Sequence, residues 1–215
     1  MLKKTLILTA LLSTTVLTYA APTPIAANQT IAGSQVSTTQ AIVAYFKNSK
    51  DDYKYSSTPA SNGFYRVYLA RDANGRFLVQ DFFQQTNKKQ SDPYWVNDIQ
   101  GLASFEIDYI DGPITGYYSN GNVSFKGTFK NGEFSGQYDN FYPNGRLASR
   151  YQPKGNNEYS DEYFYENGKK AAILEYRNDE LINETGWNNT GSKITDKNQI
   201  QDILDTIYTK IELDQ

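Results

Sequence analysis

From Phe64 onward, apolar and polar residues alternate in short runs bounded by turn residues, the period-two pattern of β-strands. Tyr65, Val67 and Leu69 alternate with Arg66, Tyr68 and Ala70, and the turn signal Asp72-Ala73-Asn74-Gly75 follows. Further along, Val123, Phe125 and Phe129 point one way and Ser124, Lys126 and Thr128 the other; Ala172, Leu174 and Tyr176 repeat the scheme. Two segments have helical spacing instead. Ala41, Ile42, Tyr45 and Phe46 predict a short amphipathic helix over residues 38–50, capped by Ser37 or Thr38. Ile200, Ile203, Leu204, Ile207 and Ile211 predict a second over 195–215, with Asp196 and Gln199 placed for a capping box. Residues 51–63, polar and containing Pro59, read as a loop.

The turns recur. Asn120-Gly121, Asn144-Gly145 and Asn167-Gly168 are followed by a degenerate Thr190-Gly191, in steps of 24, 23 and 23 residues. A fixed period in this range marks a repeat architecture whose units bury their cores against their neighbours. Asn-Gly predicts a type I′ hairpin turn, because both residues tolerate positive φ. A second turn follows each: Asn131-Gly132, Lys154-Gly155 and Asn178-Asp179. The expected fold is therefore mainly β: an elongated antiparallel sheet of β-hairpins repeating about every 23 residues, with short N-terminal and C-terminal capping helices over its open ends. The array is expected over 64–194 and is clearest over 112–191. Its early register rests on Asn74, which lies two periods before Asn120, with Asn97-Asp98 at the midpoint.

Before the array, Lys3 and Lys4 precede an apolar run that ends in Thr18-Tyr19-Ala20, the layout of a signal peptide over 1–20. Residues 21–37, rich in Ala, Pro, Thr and Gln, read as a flexible leader. Such a chain is expected to be exported, periplasmic or secreted in a bacterium, with no integral membrane span once mature. Cysteine and histidine are both absent. That excludes disulfides, thiolate nucleophiles, imidazole zinc sites and the Ser-His-Asp triad. Removing Lys3 and Lys4 takes the net charge from −3 to −5, with 19 basic and 24 acidic residues, which opposes nucleic-acid binding.

Gly136-x-Tyr138-x-x-Phe141-Tyr142-Pro143-Asn144-Gly145-Arg146-Leu147 resembles the MORN-repeat variant found in bacterial proteins of the YwqK-like antitoxin group. The third unit departs from it, with Tyr159 and Asp161 where Gly136 and Tyr138 stand, and the fourth lacks its Asn-Gly. The resemblance implies a largely single-layer antiparallel sheet. It also implies a protein encoded near a toxin that it neutralises. With an export signal, that suits immunity against an envelope-targeted toxin of the lipase or peptidoglycan hydrolase type.

Glu158, Asp161, Glu162 and Glu166 form the one acidic cluster dense enough to suggest glycoside hydrolysis or calcium binding. They sit beside turns, where acids are ordinarily solvated, so the chain is expected to be no enzyme, with no catalytic residue, metal or cofactor assigned. The aromatic registers are more informative. Tyr117, Phe141, Phe164 and Trp187 share one register; Tyr118, Tyr142 and Tyr165 share the next and so face the other way. If the first set is core, the second is an exposed tyrosine column suited to protein hot spots. Tyr118, Tyr142 and Tyr165, with Lys126 and Arg146 at the rim, are the expected partner-binding residues. The function expected is that of a non-enzymatic binding protein that docks and occludes a protein partner of the secreted toxin effector kind. The alternative is an envelope scaffold or a glycan- or peptidoglycan-binding module.

Overall fold

Among the described residues, short alternating runs between glycine-bearing turns fold into two antiparallel sheets and one α-helix, with no closed barrel. The computed structural model describes residues 41–49 and 52–212; the expected signal segment 1–20 and leader 21–37 lie outside them. The first sheet contains β1 (Ala41–Ser49), β2 (Asp52–Ser56), β3 (Gly63–Arg71), β4 (Phe77–Phe83) and β5 (Tyr94–Val96), in the order β2-β1-β3-β4-β5. The second contains β6 (Gly112–Tyr117), β7 (Val123–Lys130), β8 (Glu133–Phe134), β9 (Tyr138–Phe141), β10 (Leu147–Gly155), β11 (Glu158–Phe164), β12 (Lys170–Arg177), β13 (Glu180–Trp187) and β14 (Lys193–Ile194). Its order is β14-β13-β12-β11-β10-β9-β7-β6, a meander, with β8 beside β7. The helix α1 (Lys197–Glu212) follows, and the Asp196 carboxylate caps it by accepting from the Asn198 N–H at 2.9 Å.

Two expectations about the N-terminal part are corrected. Residues 41–49 form a strand, not a helix; residues 38–40 and 50 lie outside the described set. The spacing of Ala41, Ile42, Tyr45 and Phe46 fits a helix, but Ile42, Val43, Tyr45 and Phe46 are β-formers, and β3 supplies a pairing edge. Ala44 and Phe46 then point together into the core. Residues 52–56 form β2 where a loop was expected; Tyr53 packs edge-on to Phe64 at 4.9 Å. Polar Asp, Lys and Ser between the tyrosines disguise this edge strand.

The hairpin array of the second sheet begins at Gly112. The turn at 72–76 has the hydrogen bonds of the later Asn-Gly turns, yet its strands belong to the first sheet, and Asn97-Asp98 leads into a 3-10 turn at Ile99–Ala103. Residues 90–92 join the two sheets edge to edge. The Gln90 N–H donates to the Asp81 carbonyl at 2.7 Å, and the Tyr117 N–H to the Gln90 carbonyl at 2.8 Å. The 97–111 segment covers the first sheet. Beneath it the wholly buried Arg66 guanidinium forks onto Asp81 at 2.7 and 2.9 Å and donates to Tyr94 Oη at 2.6 Å and to the carbonyls of Gly101 and Ser104. Burial alone lowers the Arg66 pKa, but Asp81 and Tyr94 outweigh it and hold the charge in place. Fully satisfied networks of this kind specify one arrangement more than they add stability.

The periodic turns differ from the expected type. Gly121, Gly145, Gly168 and Gly191 have φ of 93°, 81°, 84° and 99°, while Asn120, Asn144 and Asn167 keep negative φ. Tyr118 N–H bonds the Asn122 carbonyl and Gly121 N–H bonds the Tyr118 carbonyl, both at 2.8 Å, and the later units repeat this. These are three-residue loops, a type I turn closed by a glycine bulge. Each asparagine side-chain oxygen accepts from the N–H two residues on, as Asn144 does from Arg146 at 2.9 Å, which stabilises negative φ. At Thr190, which lacks that oxygen, Asn188 Oδ1 takes over, accepting from the Thr190, Gly191 and Ser192 N–H groups. Type I′ geometry occurs at the opposite end of the sheet, at Asn131-Gly132, Asn156-Asn157 and Asn178-Asp179. The turn expected at Lys154-Gly155 thus falls two residues later.

The turn tyrosines tie unit to unit. Tyr118 Oη donates to the Phe141 carbonyl at 2.6 Å, Tyr142 Oη to the Phe164 carbonyl at 2.7 Å, and Tyr165 Oη to the Trp187 carbonyl at 2.7 Å. Helix α1 lies over these tyrosines. Ile200, Leu204, Ile207 and Ile211 bury against Tyr142, Ala148, Tyr163, Ala171, Ala172 and Leu174. Close approach is possible because β13 has Gly186 there; a Cβ on it would lie 2.5 Å from Ile200 Cγ1.

Two predictions test this packing. Tyr142→Phe leaves the Phe164 carbonyl unpaired beneath the helix and should cost about 1–3 kcal/mol, read as a lower denaturant midpoint at unchanged slope; an unshifted midpoint refutes the rung. The second concerns alkali. Burial raises the pKa of Tyr142, Tyr163 and Tyr176 above the ordinary 10.0, with Tyr176 pushed up to about 12. The folded chain therefore holds these protons more tightly than the unfolded chain, so stability is full below about pH 10 and falls as pH rises through about 12. Phenolate absorbance and loss of β-structure circular dichroism should appear together in that window. Early phenolate absorbance from these residues with the fold intact would contradict it.

Candidate functional site

The faces of the second sheet follow from its register, since directly paired residues share a face. Thr115, Lys126, Asp139, Arg150, Glu162, Ile173 and Thr185 pair in succession across seven strands on the face opposite α1, here the outer face. Asp139 is the hub. It is 1% exposed, accepts from Arg150 Nε and Nη2 at 2.7 and 3.0 Å and from Gln137 Nε2 at 3.0 and 2.9 Å, and lies 4.0 Å from Lys126 Nζ. Its hydrogen bonds raise the Arg150 pKa. The chain of charges continues through Glu162, 3.3 Å from Lys170 Nζ. Beside Asp139 lies an open depression of about 290 Å³, lined by Pro113, Thr115, Lys126, Thr128 and Gln137 among others.

Along the turn end of this face runs a row of half-buried rings: Tyr117, Phe141, Phe164 and Trp187. Each stands last in its strand, before a three-residue turn. Lysines lie over three of them: Lys89 Nζ is 3.9 Å from the Tyr117 centroid, Lys126 Nζ 5.3 Å from Phe141 and Lys170 Nζ 5.8 Å from Phe164. Lys193 pairs across from Trp187.

The aromatic registers are therefore the reverse of those expected. Tyr118 and Tyr142 are each 1% exposed and lie under α1, and Tyr165 is half-buried against the same core, so the exposed tyrosine column is overturned. The ring set taken as core is the outward one. Of the expected binding residues, Lys126 and Arg146 remain exposed: Lys126 on the outer face, and Arg146 on a turn, where it donates to the Glu166 carbonyl at 2.9 Å. A bulge follows each of the first three turns. Ser124, Ala148 and Ala171 are extra residues there, each at most 2% exposed, and each shifts the strand's alternation by one. The sequence trace of this device is the small residue four positions after each asparagine.

The acidic cluster is dispersed. Glu158 pairs with Arg177 at 2.8 Å, Glu162 with Lys170, Glu166 with Lys210 of α1, and Asp161 faces the helix side. Among the described residues, no group of three acidic side chains is placed to hold a metal ion, and no helix is long and apolar enough to cross a membrane. No protein-family model, no curated protein and no solved structure matches the chain.

Removing the hub should be felt. Asp139→Ala leaves Arg150 and Gln137 without their shared acceptor and Lys126 without its nearby counter-charge. Because Arg150 reaches solvent, the cost should be about 1–3 kcal/mol, measured by chemical denaturation. A variant as stable as the parent shows that the charge line is ornamental to folding.

Proposed function

We propose that this chain is a non-enzymatic binding protein that offers the outer face of its nine-stranded sheet to a protein partner, and that it serves as an exported immunity protein against an envelope-targeted toxin of the lipase or peptidoglycan hydrolase type. The observation that carries the binding reading is the asymmetry of the sheet. One face is filled by α1, while the other keeps a row of four aromatic rings set among lysines. Rings and cations held on a hydrogen-bonded sheet lose little freedom on docking, so more of their contact energy appears as affinity. Aromatic anchors with a charged rim are the usual make-up of binding hot spots. Inhibition follows from occlusion: a rigid sheet laid over a toxin's active site excludes substrate and needs no chemistry of its own. The toxin assignment draws on the repeat resemblance and the leader pattern.

The test is protection. Cells carrying an envelope-targeted toxin encoded beside this gene should survive when the chain is co-expressed. Phe164→Ala with Trp187→Ala should abolish protection while the purified variant keeps its β-structure spectrum. Killing at the same rate with and without the chain overturns the immunity reading. Protection undiminished in the double variant moves the interface off this row.

A further inference from the structure

The row has a charge that the whole chain lacks. At the end of the sheet holding the three-residue turns, Lys89, Lys126, Lys170 and Lys193 stand beside the rings, and Arg146 and Lys169 on the turns. The acids nearby are already engaged. Asp92 binds Lys89 at 2.7 Å, Glu162 binds Lys170 at 3.3 Å, Glu166 binds Lys210, and Asp139 is buried under Arg150. Arg146 and Lys169 donate to backbone carbonyls of the next turn, at 2.9 and 3.1 Å, and not to a carboxylate. The opposite end, with the two-residue turns, adds Glu133, Glu158, Asp179 and Glu180 and is not positive. A chain of net charge −3 thus carries a positive rim along its aromatic row.

Spacing and ring access narrow the ligand further. Phe141, Phe164 and Trp187 end every second strand, so successive rings lie about 10 Å apart. An extended polypeptide covers that distance in about three residues. The ring faces of Tyr117, Phe141 and Phe164 are occupied by ammonium groups, which disfavours flat stacking of sugars. A carboxylate instead meets Arg146, Lys169 and Lys193 at the edge of the row, which among the described residues pair with no carboxylate.

Building on the protein-binding reading, we propose that the row from Tyr117 to Trp187 docks an extended, carboxylate-rich segment of the partner, running across the strand ends with acidic side chains between the lysines. Phe141, Phe164 and Trp187 give the apolar contact, and Arg146, Lys169 and Lys193 the charge.

Trp187 makes the test direct. The chain has two tryptophans, so Trp95→Phe leaves Trp187 as the sole reporter. Its emission is followed while the full chain is titrated with poly-glutamate, with poly-lysine and with polygalacturonate. Poly-glutamate should shift the emission saturably and bind at least about tenfold more weakly when salt rises from about 0.05 to 0.5 M. Lys169→Glu with Lys193→Glu, both exposed, should weaken binding at least about tenfold with the circular dichroism spectrum unchanged. No shift, insensitivity to salt or to the charge reversals, or equal binding of poly-lysine overturns the proposal. So does tighter binding of polygalacturonate, which assigns the row to anionic glycans. Poly-glutamate binding without toxin protection keeps the acidic-segment site and removes the immunity reading. Protection unaffected by Lys169→Glu with Lys193→Glu does the reverse.

Discussion

One hydrogen bond, repeated, organises the second sheet. The phenol of each turn tyrosine donates to the carbonyl that precedes the corresponding position of the next unit, from Tyr118 to Phe141, Tyr142 to Phe164 and Tyr165 to Trp187. A repeat array is held together by terms between neighbours, and this one is directional and partly buried. It fixes the distance between successive turns. It also satisfies carbonyls at strand ends, where ladder partners run out. Asn120 and Asn167 add a parallel line of bonds outside it, to the carbonyls of Pro143 and Asn189. Where the fourth unit replaces tyrosine with Asn188, the run of rungs ends, and α1 begins soon after.

The tyrosines carry a second constraint. A phenol that reaches a carbonyl one unit away must lie flat along the sheet, and its ring then leaves an apolar surface that needs cover. Helix α1 supplies it, with Tyr208 joined to Tyr163 hydroxyl to hydroxyl at 2.6 Å and Ile200 fitted over Gly186. Covering one face leaves the other open, so the inner packing decides which face stays free of the helix. The first sheet solves the same problem differently. The 97–111 segment is fastened to Arg66 by carbonyl bonds, and Phe105 packs edge-on to Phe46 at 4.3 Å.

The pattern of residues carried much of the fold and rather less of the site. Alternation between recurrent turns marked the meander from Gly112 to Ile194, and the stripe from Ile200 to Ile211 marked α1 within two residues at its start. It failed at 41–56, where a helical spacing of β-forming residues and a polar edge strand both depended on the neighbour β3. It failed also in the turn type, because an asparagine side chain that accepts from the backbone removes the need for its own positive φ. The two aromatic rows were legible, and which of them is buried was read the wrong way round.

What the sequence determined alone is local: where strands end, that units repeat, that a helix closes the array, and that imidazole and thiol chemistry is absent. Each of these follows from residues within a few positions of one another. Which face is open was decided only in the tertiary structure. A single extra residue, Ser124, Ala148 or Ala171, reverses every side chain after it, and a bulge forms through pairing with another strand. That the rings before each turn form the outward row and the tyrosines within it the core was settled by where α1 came to rest.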